Sequence, residues 1–337
     1  MTNHGSLQFT LHPLRAEFHQ GVVDTINEYF CWVNDVPAYT TLEQMRAEWN
    51  HSLFNPETDA CVAVDAQGQV VGFTDAWDIT SVHARIGTWV SVRRDLVDQG
   101  IEDALLAWVL RRALEMGQPA PEEARLVVHA MANAASEQAN AVYQRNGFQV
   151  VRGSYHMLID FDQPITPQIP EGVVIRPFEG EAELRDAIYT AYDAFRDHWG
   201  HIDEPFEPYY TRWIERLKDD PIYDPSLYLA AFENGQMAGV SLCYPKIEDK
   251  PETGWVGTLA VRRPWRKRGL GLALLQQSFA EFQARGLKHA GLGVDAQNLT
   301  GALRLYERAG MHVWHKFNTY EYELRQGVDL MTQTVQA

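Results

Sequence analysis

Residues 92–106 (VRRDLVDQGIEDALL) and 261–275 (VRRPWRKRGLGLALL) align without a gap and are identical at seven of fifteen positions. A repeat of that length, placed once in each half of the chain, requires two copies of one structural unit. Other matches keep the same order. Ala63, Gly68, Gln69 and Gly72 correspond to Ala230, Gly235, Gln236 and Gly239, and Pro13 corresponds to Pro177. Tyr143-Gln-Arg-Asn-Gly147 corresponds to Tyr306-Glu-Arg-Ala-Gly310. The 337 residues therefore divide into two domains, expected at 1–163 and 173–327, with a linker at 164–172 and a tail at 328–337. The linker carries Pro164, Pro167, Pro170 and Gly172, which interrupt any regular element.

Each copy reads as a strand, two helices, a hairpin, a further strand, a long helix, another strand and a shorter helix, with a closing hairpin. In the second copy Leu184, Ile188, Ala191 and Phe195 fall at helical spacing, and Glu233-Asn-Gly235 is a two-strand turn. An apolar strand ends at Val261, a cationic turn follows, and an apolar helix begins near Arg268. Gly269 and Gly271 lack a Cβ, so the backbone there can curl tightly and approach a ligand. The first amides of the helix have no intrahelical acceptor and carry the positive end of its dipole, a setting suited to a diphosphate. Arg266, Lys267 and Arg268 add formal charge.

The first copy differs at this turn. Val97, Asp98, Gln99 and Glu102 stand where the second has Arg266, Lys267, Arg268 and Gly271. Ala135 stands where the second has Asn298. A carboxylate about 5 Å from a phosphate charge costs roughly 3 kcal/mol at an effective dielectric near 20. The first copy is therefore expected not to hold a phosphate-bearing ligand in the same way.

The strand, the x-x-Gly-x-Gly turn, the strand-like run 290–295 and the segment from Asn298 to Gly310 resemble, in order and spacing, the GCN5-related N-acetyltransferases (GNAT). An altered first copy followed by an intact second resembles the tandem two-domain type of that family, distantly like the mycothiol synthases. The resemblance implies an α/β fold of two tandem domains, each a mixed, mostly antiparallel sheet flanked by helices. It implies acetyl-CoA as cosubstrate, entering a wedge between the strands at 254–261 and 289–295. By that likeness Arg266, Lys267, Arg268, Gly269, Leu270, Gly271 and Leu272 hold the pyrophosphate. Leu259, Ala260 and Val261 pair with the pantetheine arm and the thioester oxygen, and Asn298 contacts the arm. Tyr306 is the implied acid for the departing thiolate.

The acceptor side is marked less clearly. His198, Trp199 and His201 lie in the segment after the first helix of the second copy, and Glu252 precedes the cofactor strand. The histidines and Glu252 are the candidates to receive a proton. Trp199 belongs to an aromatic group with Phe206, Tyr209 and Tyr210.

Composition narrows the function classes. A formal charge of −16 opposes nonspecific binding to nucleic acid and to anionic membranes. No apolar run reaches the length of a membrane span, and residues 1–6 do not form a secretion signal. Cys31, Cys61 and Cys243 form neither a metal nor a disulfide framework, so a cytoplasmic protein without metal is expected. The expected activity is transfer of acetyl from acetyl-CoA to a primary amine of a small molecule by a monomer or homodimer. A non-catalytic acyl-CoA sensor and a protein or peptide N-acetyltransferase are the alternatives.

Overall fold

The computed structural model describes residues 8–78, 80–297 and 301–332. The chain forms two compact units, Met1–Arg152 with Phe317–Leu330 and Gly153–Lys316 with Met331–Ala337, here units 1 and 2. Unit 1 runs through β1 (Phe9–Pro13), α1 (His19–Asn34), α2 (Leu42–Trp49), α3 (Pro56–Asp59), β2 (Ala60–Asp65), β3 (Val70–Asp78), β4 (Arg85–Val92), α4 (Ile101–Met116), β5 (Leu126–Asn133) and α5 (Glu137–Arg145). The next strand, β6 (Gln149–Asp160), leads into unit 2. There follow β7 (Val173–Pro177), α6 (Gly180–Phe195), α7 (Phe206–Asp219), β8 (Tyr228–Glu233), β9 (Gln236–Tyr244), β10 (Thr253–Val261), α8 (Leu270–Ala284), β11 (His289–Asp295) and α9 (Ala302–Arg308). The final strand, β12 (His312–Arg325), ends in unit 1.

Within unit 1 the strand order is β1-β2-β3-β4-β5-β12, and within unit 2 it is β7-β8-β9-β10-β11-β6. Neighbours are antiparallel except β4 with β5 and β10 with β11. Each unit is thus the expected mixed, mostly antiparallel sheet flanked by helices.

The closing strands are exchanged along the chain. Residues 154–160 pair with β11, and residues 317–325 pair with β5. The repeat boundary at 163 therefore does not coincide with the structural one at 152, and residues 317–327 do not stay with the second copy. Sequence periodicity marks a strand but not its nonlocal partner, which is why a copy-by-copy division assigns both strands to the wrong unit. The proline-bearing segment belongs to unit 2. Its amides at Ile165 and Gln168 donate to the side chains of Gln283 and Gln276 on α8 at 2.8 and 3.0 Å. It carries the chain from β6 at one sheet edge to β7 at the other.

The core of unit 2 forms because α8 is apolar on a broad face. Leu270, Ala273, Leu274, Leu275, Phe279 and Phe282 are buried, and Ser278 bonds back to the Leu274 carbonyl. Gly254 makes room for Phe282, since a Cβ there would lie 2.4 Å from its ring. Removing that ring would cost about 3–5 kcal/mol. On the other face of the sheet, α6 buries Ala187, Ile188, Ala191 and Ala194 against β9 and β10. Tyr192 and Tyr209 pack between α6 and α7 with ring centroids 5.2 Å apart. The aromatic residues of α7 are thus packing groups of that helix pair.

Candidate active site

The two parallel strands of unit 2 part halfway. Thr253–Val256 of β10 pair with residues 289–292 of β11, and there the pairing ends. At the same point the register between β10 and β9 shifts by one residue, at Gly257. Only glycine fits this bulge, because a Cβ at 257 would sit 2.7 Å from the Tyr244 ring. Residues 258–261 remain paired with β9 on one edge. Their other edge faces the opening between β10 and β11, without a strand partner among the described residues. Leu259, Ala260 and Val261 all lie on this stretch, and the Val261 carbonyl accepts from Arg266 Nε at 3.0 Å.

The cationic turn follows. A single 3₁₀ turn at Arg263–Trp265 precedes Lys267 with φ 63° and Gly269 with φ 85°, and α8 starts at Leu270. The first intrahelical bond there runs from the Ala273 amide to the Gly269 carbonyl at 3.0 Å. The amides of residues 270–272 therefore point out of the helix end without an i−4 acceptor. A Cβ on Gly271 would crowd Leu305 Cδ1 at 3.0 Å, so the position favours glycine.

Two of the three cations are engaged by the protein itself. Arg266 donates to Asp197 at 2.6 Å and to the Ala194 carbonyl at 3.1 Å. Arg268 donates to both oxygens of Glu233, at 3.0 and 2.5 Å. Asp197 is 2% exposed, and Arg263 reaches it as well, at 2.5 Å. Hydrogen bonds from Arg263 and then Arg266 hold its carboxyl at about 2. These arginines fasten the turn to α6 and to the β8–β9 hairpin, whereas exposed Lys267 has no ion pair among the described residues. Sequence reading counted three free charges because the partners lie tens of residues upstream.

Tyr306 is buried on α9 and packs in the cluster that includes Val256, Leu275, Phe279 and Leu292. Burial pushes its phenol up to about 12, so it is protonated at neutral pH. The helix begins at Ala302 behind Gly301, whose φ of 78° stops it from extending further back. Tyr306 is accordingly the fifth residue of the helix. Asn298 lies outside the described residues.

The expected acceptor-side residues separate into two groups. His198, Trp199 and His201 follow α6 together. The Gly200 amide donates to the Thr332 carbonyl at 3.0 Å, and the Thr332 amide donates to the His201 carbonyl at 2.7 Å. Burial, then the Arg266 guanidinium, lowers the His198 imidazole, while Asp295 at the end of β11 and Asp197 oppose that shift. His198 thus lies within electrostatic reach of the end of β11, and its ring packs on Phe195 with centroids 4.3 Å apart. His201 is paired with Asp203 at 3.3 Å. Glu252 is elsewhere. It precedes β10 at the end remote from residues 257–261, is exposed, and pairs with Lys288 at 2.9 Å. Seven residues of strand separate it from Leu259, about 23 Å at 3.3 Å per residue, so it does not reach the opening.

The sequence reading overlooked His156 and Trp255. His156 on β6 stands opposite Gly293, the first residue of β11 beyond the parallel pairing. Its ring packs on Trp255 of β10 with centroids 5.0 Å apart. The alternation of Gly291 and Gly293 was the available signal, because two glycines on one strand face make room for bulky neighbours. A Cβ at 291 would lie 2.5 Å from the Trp255 ring.

Unit 1 repeats the frame and fills it from within. Parallel pairing of β4 with β5 covers only residues 85–87 and 127–129. The turn keeps its shape, with φ of 63° at Asp98 and 87° at Gly100. Here the Asp98 amide donates to the carboxylate of Glu102, which is fully buried. Arg145 closes the turn through Asp98 at 2.5 Å and Asp103 at 2.8 Å. The hydroxyl of Tyr143 takes a hydrogen bond from the Val90 backbone, on the stretch of β4 that has left β5.

Among the described residues there is no group of three His, Cys, Asp or Glu placed to hold a metal ion. No described helix is long and apolar enough to cross a membrane.

Comparison with known proteins bears on this geometry. Residues 188–311 match the acetyltransferase (GNAT) family. Mycothiol acetyltransferase of Streptomyces scabiei is 32% identical over 179 residues, which cover 52% of this chain and 53% of that protein. The counterpart from Thermobispora bispora is 29% identical over 178 residues, 50% and 56% of the two chains. The matched segment spans about half the length of these curated relatives. Among solved structures, a GCN5-related N-acetyltransferase from Sphaerobacter thermophilus superimposes with a TM-score of 0.78 at 28% identity, over 95% of this chain and 97% of the other. A tandem GNAT protein from the clavulanic acid biosynthesis pathway reaches a TM-score of 0.70 over 95% and 100% of the two chains. Its 15% identity makes that a likeness of fold.

Proposed function

We propose that unit 2, whose residues 188–311 match the acetyltransferase (GNAT) family, transfers an acetyl group from acetyl-CoA to a primary amine of a small molecule. One observation carries the reading: β10 and β11 part at Val256, and the free edge of β10 leads directly into the glycine turn and the N-terminus of α8.

The amides of residues 269–272, with the helix dipole behind them, hold the diphosphate. Lys267 supplies mobile positive charge, and Arg266 and Arg268 hold the turn in shape. Residues 259–261 offer main-chain groups to the amides of the pantetheine arm. A main-chain N–H on the same edge polarises the thioester carbonyl, where negative charge grows during attack.

Tyr306 faces the departing sulfur. With the phenol at about 12 and an ordinary thiol near 8.5, complete proton transfer to the thiolate is uphill by about 5 kcal/mol. Tyr306 therefore acts chiefly by donating a hydrogen bond to the thiolate, and transfer follows to the extent that burial raises the thiol as well. Unit 1 takes no part in holding acetyl-CoA, because the Glu102 carboxylate already takes the Asp98 amide and Tyr143 already takes the Val90 main-chain donor.

The test is thiol release from acetyl-CoA with purified protein and a panel of small amines, beside calorimetric titration with acetyl-CoA alone. Saturable binding of one equivalent with turnover of at least one amine is expected. Binding without turnover of any amine, and turnover only of peptides, would favour a sensor and a protein acetyltransferase respectively.

A further inference from the structure

The acceptor side of unit 2 holds a group that family likeness did not suggest. Trp255, Gly291, Gly293 and His156 share one face of the sheet by strand register, the face opposite Val256, Ala290 and Leu292, which pack under α8 and α9. Gly293 is exposed, as is Gly257 at the bulge of β10. The two glycines leave the sheet bare where the strands part. The His156 ring leans over this place. Its Cδ2 is 3.9 Å from where a Cβ on Gly293 would be, and its plane meets Trp255 at 68°.

We propose that His156 contacts the acceptor amine and takes its proton as the amide forms. The proposal rests on the reading of unit 2 as an acetyltransferase. A second observation supports a polar ligand on this face. Ser154, two residues along β6 and opposite Asp295, has a buried hydroxyl with no hydrogen-bond partner among the described residues. The charged and titratable groups around His156 are His315 of β12, Asp295 at the end of β11 and, near Asp295, His198 after α6. Burial, with His315 adding to it, takes His156 down to about 4, so its imidazole is neutral at physiological pH. A neutral amine is too weak an acid to lose a proton to such a base. Bonding to the carbonyl carbon turns the nitrogen into a far more acidic cation, and as the C–S bond breaks toward an N-protonated amide its acidity passes that of the His156 imidazolium, so the transfer runs downhill as the amide forms.

The step balances as follows. The amine lone pair forms the C–N bond and the C–S bond breaks, so the sulfur leaves as thiolate beside Tyr306. The nitrogen loses one proton to His156. That proton reaches the sulfur through solvent, and the products are the neutral amide and the free thiol.

The experiment uses the full chain with isotopically labelled histidine and records side-chain resonances with and without saturating acetyl-CoA. His156→Gln identifies the His156 signal. That signal is expected to move on addition of acetyl-CoA, whereas the signal of His289, bonded to Asp160 at the far end of β11, stays in place. With any amine that turns over, His156→Gln should lower kcat at least tenfold while acetyl-CoA affinity by calorimetry is unchanged. Imidazole added to His156→Gly should restore part of that rate, which a packing role would not allow. A His156 signal unmoved by bound acetyl-CoA, or wild-type turnover by His156→Gln, would overturn the proposal. Absence of any acetyl-CoA binding would overturn the underlying reading of unit 2, and this inference with it.

Discussion

The Glu102 carboxylate of unit 1 accepts a hydrogen bond from the Asp98 amide at 3.1 Å, inside a turn whose backbone matches that of unit 2. Asp98 corresponds to Lys267 and Glu102 to Gly271. The first turn thus carries its own anion where the second is open to an external one. Gly271→Glu should reproduce that state, since the new carboxylate would reach the Lys267 amide in the same way. The added Cβ meets the flexible end of Leu305 at 3.0 Å and Val261 Cγ2 at an ordinary contact distance of 3.7 Å, so the fold should survive. Acetyl-CoA affinity by calorimetry should fall at least a hundredfold with little change in Tm, and undiminished affinity would refute the cradle assignment. Neutral residues at Asp98 and Glu102 should leave turnover nearly unchanged.

Tyr306→Phe separates chemistry from packing. The ring stays in its apolar cluster and only the hydroxyl is lost. Turnover should drop by about 10²-fold, in the range of a lost acid. Acetyl-CoA affinity should change by less than threefold. Parallel losses in steady-state rate and calorimetric affinity would mean that the hydroxyl has a structural role.

Much of unit 2 was legible from the sequence because its signals are local. The glycine turn needs positive φ at Gly269, and the Asn234–Gly235 turn has φ of 51° and 75°, the twist a two-residue hairpin demands. The limits of β11 were also legible, because an apolar run between turns has few alternatives. What was not legible depends on distant partners. Nothing local indicates that β6 pairs with β11, so His156 was assigned to the wrong copy. Nor does the turn itself reveal that Asp197 and Glu233 engage Arg266 and Arg268. Glu252 looked suitable by position in the chain, but strand length places it at the wrong end of β10.

Asp197 should make stability pH-dependent in a defined window. Its carboxyl is held at about 2 by Arg263 and Arg266, against an ordinary 3.8. A carboxylate depressed in the folded state contributes stability that is complete above the unfolded value and is lost as pH falls through the folded one. Asp197→Asn should therefore lose about 2 kcal/mol at pH 7, an upper figure because Arg263 is half exposed. The gap between variant and wild type should shrink between pH 4 and pH 2. Urea denaturation at several pH values measures it. A gap that persists undiminished at pH 2 would mean that the arginines are held by other contacts. The variant should also bind acetyl-CoA more weakly, since the turn loses its anchor to α6.

Asp75 gives the opposite sign. It lies 2% exposed on β3 with Trp77 and Trp89 donating to it, and one of its oxygens has no partner among the described residues. Burial, the leading cause, raises its carboxyl well above the ordinary 3.8, so the fold favours the protonated acid. For a carboxylic acid raised in the folded state, stability is full below the unfolded value and is lost as pH climbs toward the folded one. Asp75→Asn, which removes the ionisation at nearly constant shape, should be more stable than wild type at pH 7.5 and equal to it near pH 3.5. Thermal unfolding at the two pH values decides the matter. A variant less stable at both would show that the carboxylate is ionised and paired in the native unit, contrary to its buried place beside Trp77 and Trp89.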